Sequence, residues 1–253
     1  MLSEKCVTSI VTKAGVEEVS EHLLKETPFA VNLNDEPAGS SMVLASNLEE
    51  FGVGFLFGRG HLTAEAQILE VKVCPEGRVD VYADVSMNPD EEMIITSGCG
   101  ATGQIAKRLL KEDFPVLPDF QIDFASLKDL VTGSLSASNL SQQTHCVHGC
   151  GFLTSKGFEA CYEDVGRHNA VDKVMGAIIM GRFSRTGAIY TTGRLTSDMV
   201  LKCARMGIPI VLSRTAPSSL GLEIARKAGI TLGAYVRPGR VNVFNAPGRI
   251  ISG

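Results

Sequence analysis

No run of apolar residues in this 253-residue chain approaches the roughly 18 to 20 that a membrane span needs. The first twenty residues carry Glu4, Lys5, Lys13 and Glu17 where a signal peptide would carry an apolar core, so a soluble, cytoplasmic protein is expected. Disulfide staples are not expected. The seven cysteines are odd in number and scattered from Cys6 to Cys203, and 44% apolar with 21% charged residues is enough for a substantial core without them. Several signatures are missing: the Gly-x-x-x-x-Gly-Lys-Ser/Thr phosphate loop, a strand-associated Gly-x-Gly-x-x-Gly and the Gly-x-Ser-x-Gly elbow. Their absence excludes P-loop kinases, Rossmann dehydrogenases and serine hydrolases. The zinc-deaminase pair, His-x-Glu and Pro-Cys-x-x-Cys, is missing too, and His148-Gly149-Cys150 lacks the glutamate that would shuttle a proton. Aromatic residues make up only 6%, and the basic residues stand singly between apolar runs, which argues against extended nucleic acid as a partner.

What is present is a strong asymmetry of charge. Residues 1–165 hold 11 Lys/Arg against 25 Asp/Glu, a net of −14, whereas residues 166–253 hold 13 against 3, a net of +10. Such an excess in a compact segment points towards an anionic partner, and phosphate is the natural one. The plainer alternative is that the two halves attract one another.

The N-terminal part is mixed, with a strand expected over Phe29–Leu33, a helix over Asn47–Phe57 and an alternating strand over Arg78–Val85 after Pro75-Glu76-Gly77. Pro115 and Pro118 break the periodicity between Glu112 and Phe120, which places a boundary there and divides the chain into residues 1–118 and 119–253. From Phe158 onward short β-rich runs alternate with helical ones. Strands are expected near Ala160–Tyr162, Ala188–Thr191, Ile208–Leu212 and Thr231–Val236. The helices fall over Asn169–Met180, over Ser197–Met206 and from Pro217 to Gly229, with Pro217 in a first turn and Gly229 at a C-terminal cap. The fold class is therefore α/β with a largely parallel sheet in the C-terminal half, beside a smaller N-terminal α+β part.

Ligands of such sheets lie beyond the carboxyl ends of the strands. Those ends here read Glu163-Asp164-Val165-Gly166-Arg167-His168, Thr192-Gly193-Arg194, Ser213-Arg214-Thr215 and Arg237-Pro238-Gly239-Arg240. Each carries an arginine, so topology would gather a site for phosphate or pyrophosphate at one rim.

Two groups of residues bear other chemistry. Cys99 sits in the glycine-flanked run Ser97-Gly98-Cys99-Gly100, just before the helix-like stretch Gln104–Lys111. There the helix dipole and free backbone N–H groups would favour thiolate, as a sulfur carrier requires, although an isolated cysteine in a glycine turn is as readily a buried inert one. The second group, His145-Cys146-Val147-His148-Gly149-Cys150, has metal-ligand residue types without the spacing of a zinc site, and no metal is expected. His148 is better placed as a polar group facing a ligand.

The string Glu163-Asp164-Val165-Gly166-Arg167-His168-Asn169-Ala170-Val171-Asp172-Lys173 resembles the signature of the FdhD/NarQ family of formate dehydrogenase accessory sulfurtransferases. Further matches are Leu48-Glu49-Glu50 with Gly54-Phe55-Leu56, Ser97-Gly98-Cys99-Gly100, Thr144 with His148, Ala216-Pro217, Ile230-Thr231-Leu232 and Arg237-Pro238-Gly239-Arg240. The resemblance implies a protein that takes persulfide sulfur from a cysteine desulfurase, binds the molybdenum bis(molybdopterin guanine dinucleotide) cofactor as substrate and sulfurates it for formate dehydrogenase. It also implies a cytidine-deaminase-like α/β/α sandwich over residues 119–253. A homodimer is expected on separate grounds, since association would shield a flexible reactive loop. On this basis Cys99 is expected to carry sulfur. Arg167, Arg194, Ser213, Arg214 and the segment Tyr235, Val236, Arg237, Pro238, Gly239 and Arg240 would hold cofactor phosphate and guanine, while His148, Asp164, His168, Asp172 and Lys173 would shape the pocket. The family loop Cys-Gly-x-Cys departs here in its second cysteine, replaced by Thr102, which keeps open a cofactor-binding chaperone without sulfur transfer. In the family's Thr-Gly-Gly-x-His motif both glycines are replaced, by His145 and Cys146.

Overall fold

The computed structural model describes residues 2–85, 112–237 and 239–252. It is mixed α/β. The chain opens with a hairpin, β1 (Ser3–Thr12) and β2 (Gly15–Leu24), that forms a two-stranded sheet of its own and is exposed along most of its length. A four-stranded sheet follows in the order β4-β3-β6-β5, from β3 (Thr27–Leu33), β4 (Glu36–Val43), β5 (Ile68–Cys74) and β6 (Arg78–Ala83). Asn34 and Asp35 turn β3 into β4 with φ of 49° and 69°, the left-handed pair that a tight hairpin requires. Helix α1 (Leu48–Gly58) lies against this sheet, close to the range expected from the sequence.

The C-terminal half is a six-stranded sheet in the order β13-β12-β11-β10-β8-β9. Its strands are β8 (His148–Thr154), β9 (Gly157–Asp164), β10 (Ala188–Thr191), β11 (Ile210–Ser213), β12 (Thr231–Arg237) and β13 (Arg240–Asn245). Only β10, β11 and β12 pair in parallel, so the sheet is mixed rather than largely parallel. Two hairpins account for the difference. β8 folds back from β9 and inserts beside β10, and the Arg237–Arg240 turn, with Gly239 at φ 76°, returns the chain as β13.

Alternation in the central strands supplies both faces with apolar side chains. Ile189, Val211 and Leu232 face a core shared with α4 (Arg167–Ile179), α5 (Ser197–Met206) and α6 (Ser219–Ala228). Ala188, Tyr190, Ile210 and Leu212 face α2 (Phe124–Ala137) on the other side. A two-residue strand, β7 (Ile122–Asp123), precedes α2 and pairs in parallel with β14 (Ile250–Ile251), and the short α3 (Asn139–Thr144) leads into β8. Pro217 precedes α6 instead of opening it. Ser218 is the cap, its hydroxyl accepting from Gly221 N–H at 3.1 Å, and Gly229 ends the helix at φ 72° as expected.

α1 and α4 cross with their backbones in contact, because glycine stands at both crossing points. A Cβ on Gly54 would lie 1.7 Å from the Asp172 carbonyl oxygen, and one on Gly176 would lie 1.9 Å from that of Glu50. The N-terminal helix is thereby locked onto the C-terminal sheet, and buried residues of both halves share one continuous core. Among the described residues no helix is long and apolar enough to cross a membrane.

Candidate functional site

One rim of the six-stranded sheet collects the carboxyl ends of β9, β10, β11 and β12 and, through antiparallel pairing, the start of β8. β8 is an element that the sequence pattern did not reveal, and it delivers His148 to this rim directly opposite Asp164. The His148 ring is half-buried, with Nδ1 3.4 Å from Thr192 Oγ1. Burial first, and then the charges of Arg167, His168 and Arg194, push its pKa down from the usual 6.5. These neighbours come from two segments, the start of α4 and the turn after β10.

Hydrogen bonds hold the loops of the rim together. Thr192 Oγ1 accepts from Gly149 N–H at 3.1 Å, and Arg214 N–H donates to Thr191 O at 3.0 Å. Ser213 Oγ donates to Gly193 O at 2.6 Å and accepts from Thr215 N–H at 2.9 Å. Ser213 is fully buried, so it acts as a bolt between two loops and offers no hydroxyl to a ligand. Gly193 is required by close approach, since a Cβ there would sit 2.7 Å from Arg167 Cβ. Arg167 lies across this loop at the first turn of α4, and its buried Nε has no hydrogen-bond partner among the described residues. A buried N–H left unpaired beside a helix N-terminus suits an anion.

Arg194 and Arg214 are exposed, and Arg237 Nη1 donates to Arg214 O at 2.9 Å, which draws the two strand ends together. Arg240 donates to Asn242 Oδ1 at 3.3 Å from the first position of β13. Tyr235 stands at an irregularity of β12 with φ 53°, a conformation rare for an aromatic residue, pinned by its N–H donating to Thr215 O at 3.0 Å. Its ring is 44% exposed and lies 6.2 Å from that of Phe244, a partner the sequence did not single out because β13 was not recognised. Val236 points instead into the core against α2 and has no free surface for a ligand. Pro238 lies outside the described residues, as do Cys99 and Thr102.

Three residues expected to shape the pocket are taken up by the protein itself. Asp164 and Lys173 form an ion pair of 2.8 Å with both side chains fully buried. The Asp164 carboxylate also accepts from Leu44 N–H, Gly166 N–H and Asn169 Nδ2, and Lys173 Nζ donates to the carbonyls of Leu44 and Glu163. Asn169 Nδ2 donates further to Met42 O. Much of the long signature string therefore ties the Met42–Leu44 segment to α4, and its polar atoms are spent on that joint. Asp172 pairs with Lys202 at 2.5 Å, buried between α1, α4 and α5, where burial pushes the carboxyl up against the opposing pull of Lys202 and Arg59. His168 remains at the rim, its Nε2 against Asp198. Burial opposes ionisation of Asp198, but hydrogen bonds from His168 and Thr196 and the His168 charge prevail and hold its pKa well below the carboxylate range.

The potential metal ligands of the segment 145–150 are dispersed. His145 and Cys146 are exposed while Cys150 is buried in the core, so their side chains do not meet. Burial pushes the Cys150 thiol far up, which makes it an inert core residue.

The sequence model described as the FdhD/NarQ family matches residues 24–251. A sulfur carrier protein FdhD from Wolinella succinogenes is 31% identical over 242 residues, covering 92% of this chain and 84% of that protein. Another from Agrobacterium fabrum is 32% identical over 265 residues, covering 98% and 97%. A crystal structure described as that of a formate dehydrogenase accessory protein from Desulfotalea psychrophila is similar with a TM-score of 0.87 and 51% identity, over 99% of this chain and 100% of that one. The match runs through both halves and through every strand end of the rim, and the chain belongs to the FdhD/NarQ family.

Proposed function

We propose that this protein is a sulfur carrier for formate dehydrogenase, binding the molybdenum bis(molybdopterin guanine dinucleotide) cofactor as substrate at the arginine rim and loading it with sulfur from Cys99. One observation carries the binding half of this proposal. Among the described residues Arg167, Arg194, Arg214, Arg237 and Arg240 have no carboxylate partner, although they lie at one rim of one sheet. Uncompensated, planar guanidinium groups at a shared edge match two pyrophosphates, each a multiply charged acceptor of paired hydrogen bonds. The relatives' printed names, sulfur carrier protein FdhD, support the transfer half. Within this proposal the C-terminal layers form a cytidine-deaminase-like sandwich without deaminase chemistry, the donor is a cysteine desulfurase, and the protein works in the cytoplasm as a homodimer.

Loading of Cys99 requires no net redox change, whereas delivery of its outer sulfur to the cofactor at the sulfide level would consume two electrons from a thiol reductant. The Cys99 thiolate attacks the outer sulfur of the donor's persulfide, a new S–S bond forms on Cys99, the donor's S–S bond breaks, and the donor leaves as thiolate. One thiol is sufficient for loading. Thr102, in place of a second cysteine, favours as the competing view a chaperone that binds cofactor without transferring sulfur. Incubation with a cysteine desulfurase and cysteine, followed by peptide mass spectrometry, separates the two. Added sulfur on the peptide containing Cys99, and loss of formate dehydrogenase maturation in Cys99→Ala, are the expected results. Sulfur on another cysteine only, or full maturation by Cys99→Ala, refutes the carrier role.

A further inference from the structure

We propose that His148 takes up a proton as an anionic pyrophosphate enters the rim, so that ligand and proton bind together. The inference rests on the rim binding such a ligand, as proposed above. His148 opens β8 and is faced from α4 by Arg167 and His168, and from the segment after β10 by Thr192 and Arg194. The nearby carboxylates are committed elsewhere, Glu163 of β9 to the N–H groups of Leu140 and Ser141. Asp164, across the β8–β9 pair, is enclosed by Lys173, Asn169 and the N–H groups of Leu44 and Gly166. Asp198, on α5, is engaged by His168 and Thr196. His148 thus stands among cations with no counterion available to it among the described residues.

The hydrogen bonding suits a neutral ring. Thr192 Oγ1 already accepts from Gly149 N–H, which leaves its own hydrogen free to be donated to Nδ1. On protonation the hydroxyl need only rotate to accept instead. Burial together with the three neighbouring charges depresses the pKa of the free protein, and a pyrophosphate placed among Arg167, Arg194 and His148 reverses the sign of that field. A base whose pKa is higher in the complex than in the free protein must gain protons on binding, most strongly between the two pKa values.

The test is titration calorimetry with diguanosine pyrophosphate, whose bridging phosphates do not titrate near neutrality, in buffers of differing ionisation enthalpy. The expected result is uptake approaching one proton per ligand, with affinity falling by up to about tenfold per pH unit as pH rises from the free-state pKa towards the bound-state one. His148→Gln should still bind, but without proton uptake and with a flattened pH profile. As a second readout that needs no variant, the His148 Cε1–H resonance should move to the protonated position when ligand is added at neutral pH. Binding with a heat independent of buffer, or uptake that persists in His148→Gln, overturns the inference and leaves the proposed function standing. Failure of the wild type to bind the dinucleotide at millimolar concentration overturns both.

Discussion

Ten basic side chains of the C-terminal half fall into two contrasting sets. Lys173, Arg182, Arg185, Lys202 and Arg205 meet carboxylates, and in three of these pairs, Arg182 with Glu49 and Glu50, Arg185 with Glu65 and Arg205 with Glu112, the acid comes from the N-terminal half. Arg167, Arg194, Arg214, Arg237 and Arg240 have no such partner among the described residues and lie at the rim. The charge asymmetry therefore divides between pairing across the halves and arginines left without carboxylates at the rim. Attraction between the halves uses Arg182, Arg185 and Arg205, while the five rim arginines stand where the proposed ligand would bind.

The comparison is broken most severely at the buried pair. Asp164→Ala leaves Lys173 charged and without its counterion in a fully buried site, and should cost about 3–5 kcal/mol in urea unfolding, whereas Lys173→Met in the same background should restore part of it. The pH dependence has a definite sign. Burial depresses the folded-state pKa of Lys173 below 10.5, so the cost is fully present below the folded value and is relieved as pH rises from there towards the unfolded one. The deficit of Asp164→Ala should accordingly shrink in alkaline solution. A constant deficit across that range would place the cost elsewhere.

The rim set should behave in the opposite way. Arg214→Ala and Arg237→Ala should each weaken a guanine nucleotide by about tenfold or more, the worth of roughly 1.5 to 3 kcal/mol for a charge-assisted contact, while stability moves by about 0.5 kcal/mol or less. Arg185→Ala is the matched control from the paired set. Its partner Glu65 is 74% exposed, so a stability loss of about 1 kcal/mol at most is expected, with nucleotide affinity unchanged. Calorimetry and urea titration of the three variants would check this, and an affinity loss in Arg185→Ala equal to that in Arg214→Ala would erase the distinction between the sets.

Helices α1, α4, α5 and α6 and the strands β10, β11 and β12 were legible because each is a local pattern, an apolar period, a glycine cap or a short β-rich run, whereas α2 and α3 were not read as helices. Nor were β8 and β13 legible. β8 begins in His148-Gly149-Cys150-Gly151, whose glycines read as a loop, and what makes it a strand is non-local pairing with both β9 and β10. The rim itself followed from topology, since the strand ends could be read in order. The division of labour within the signature string could not, because Asp164, Asn169 and Lys173 have partners at Met42 and Leu44, more than a hundred residues earlier. A long specific motif marks family membership, but only the fold separates Arg167 and His168, left at the rim, from residues that hold a joint.

The smallest expected effect sharpens the comparison from within the rim. Tyr235 holds φ 53° although no glycine relieves it, and its half-exposed ring has little packing to lose. A left-handed conformation costs a non-glycine residue about 1 kcal/mol, and glycine returns up to about that much through the greater freedom of the unfolded chain. Tyr235→Gly should therefore leave stability unchanged or raise it by less than about 1 kcal/mol, whereas Tyr235→Ala removes the same ring, keeps the strain and should be the less stable of the two. The order of these variants is the measurement that matters, taken from urea midpoints with equal slopes. If the ring is held there for a ligand, both should lose the same nucleotide affinity in spite of their different stabilities. A Tyr235→Gly protein less stable than Tyr235→Ala would mean that the ring or its contact with Phe244, and not the backbone, determines stability at this bulge.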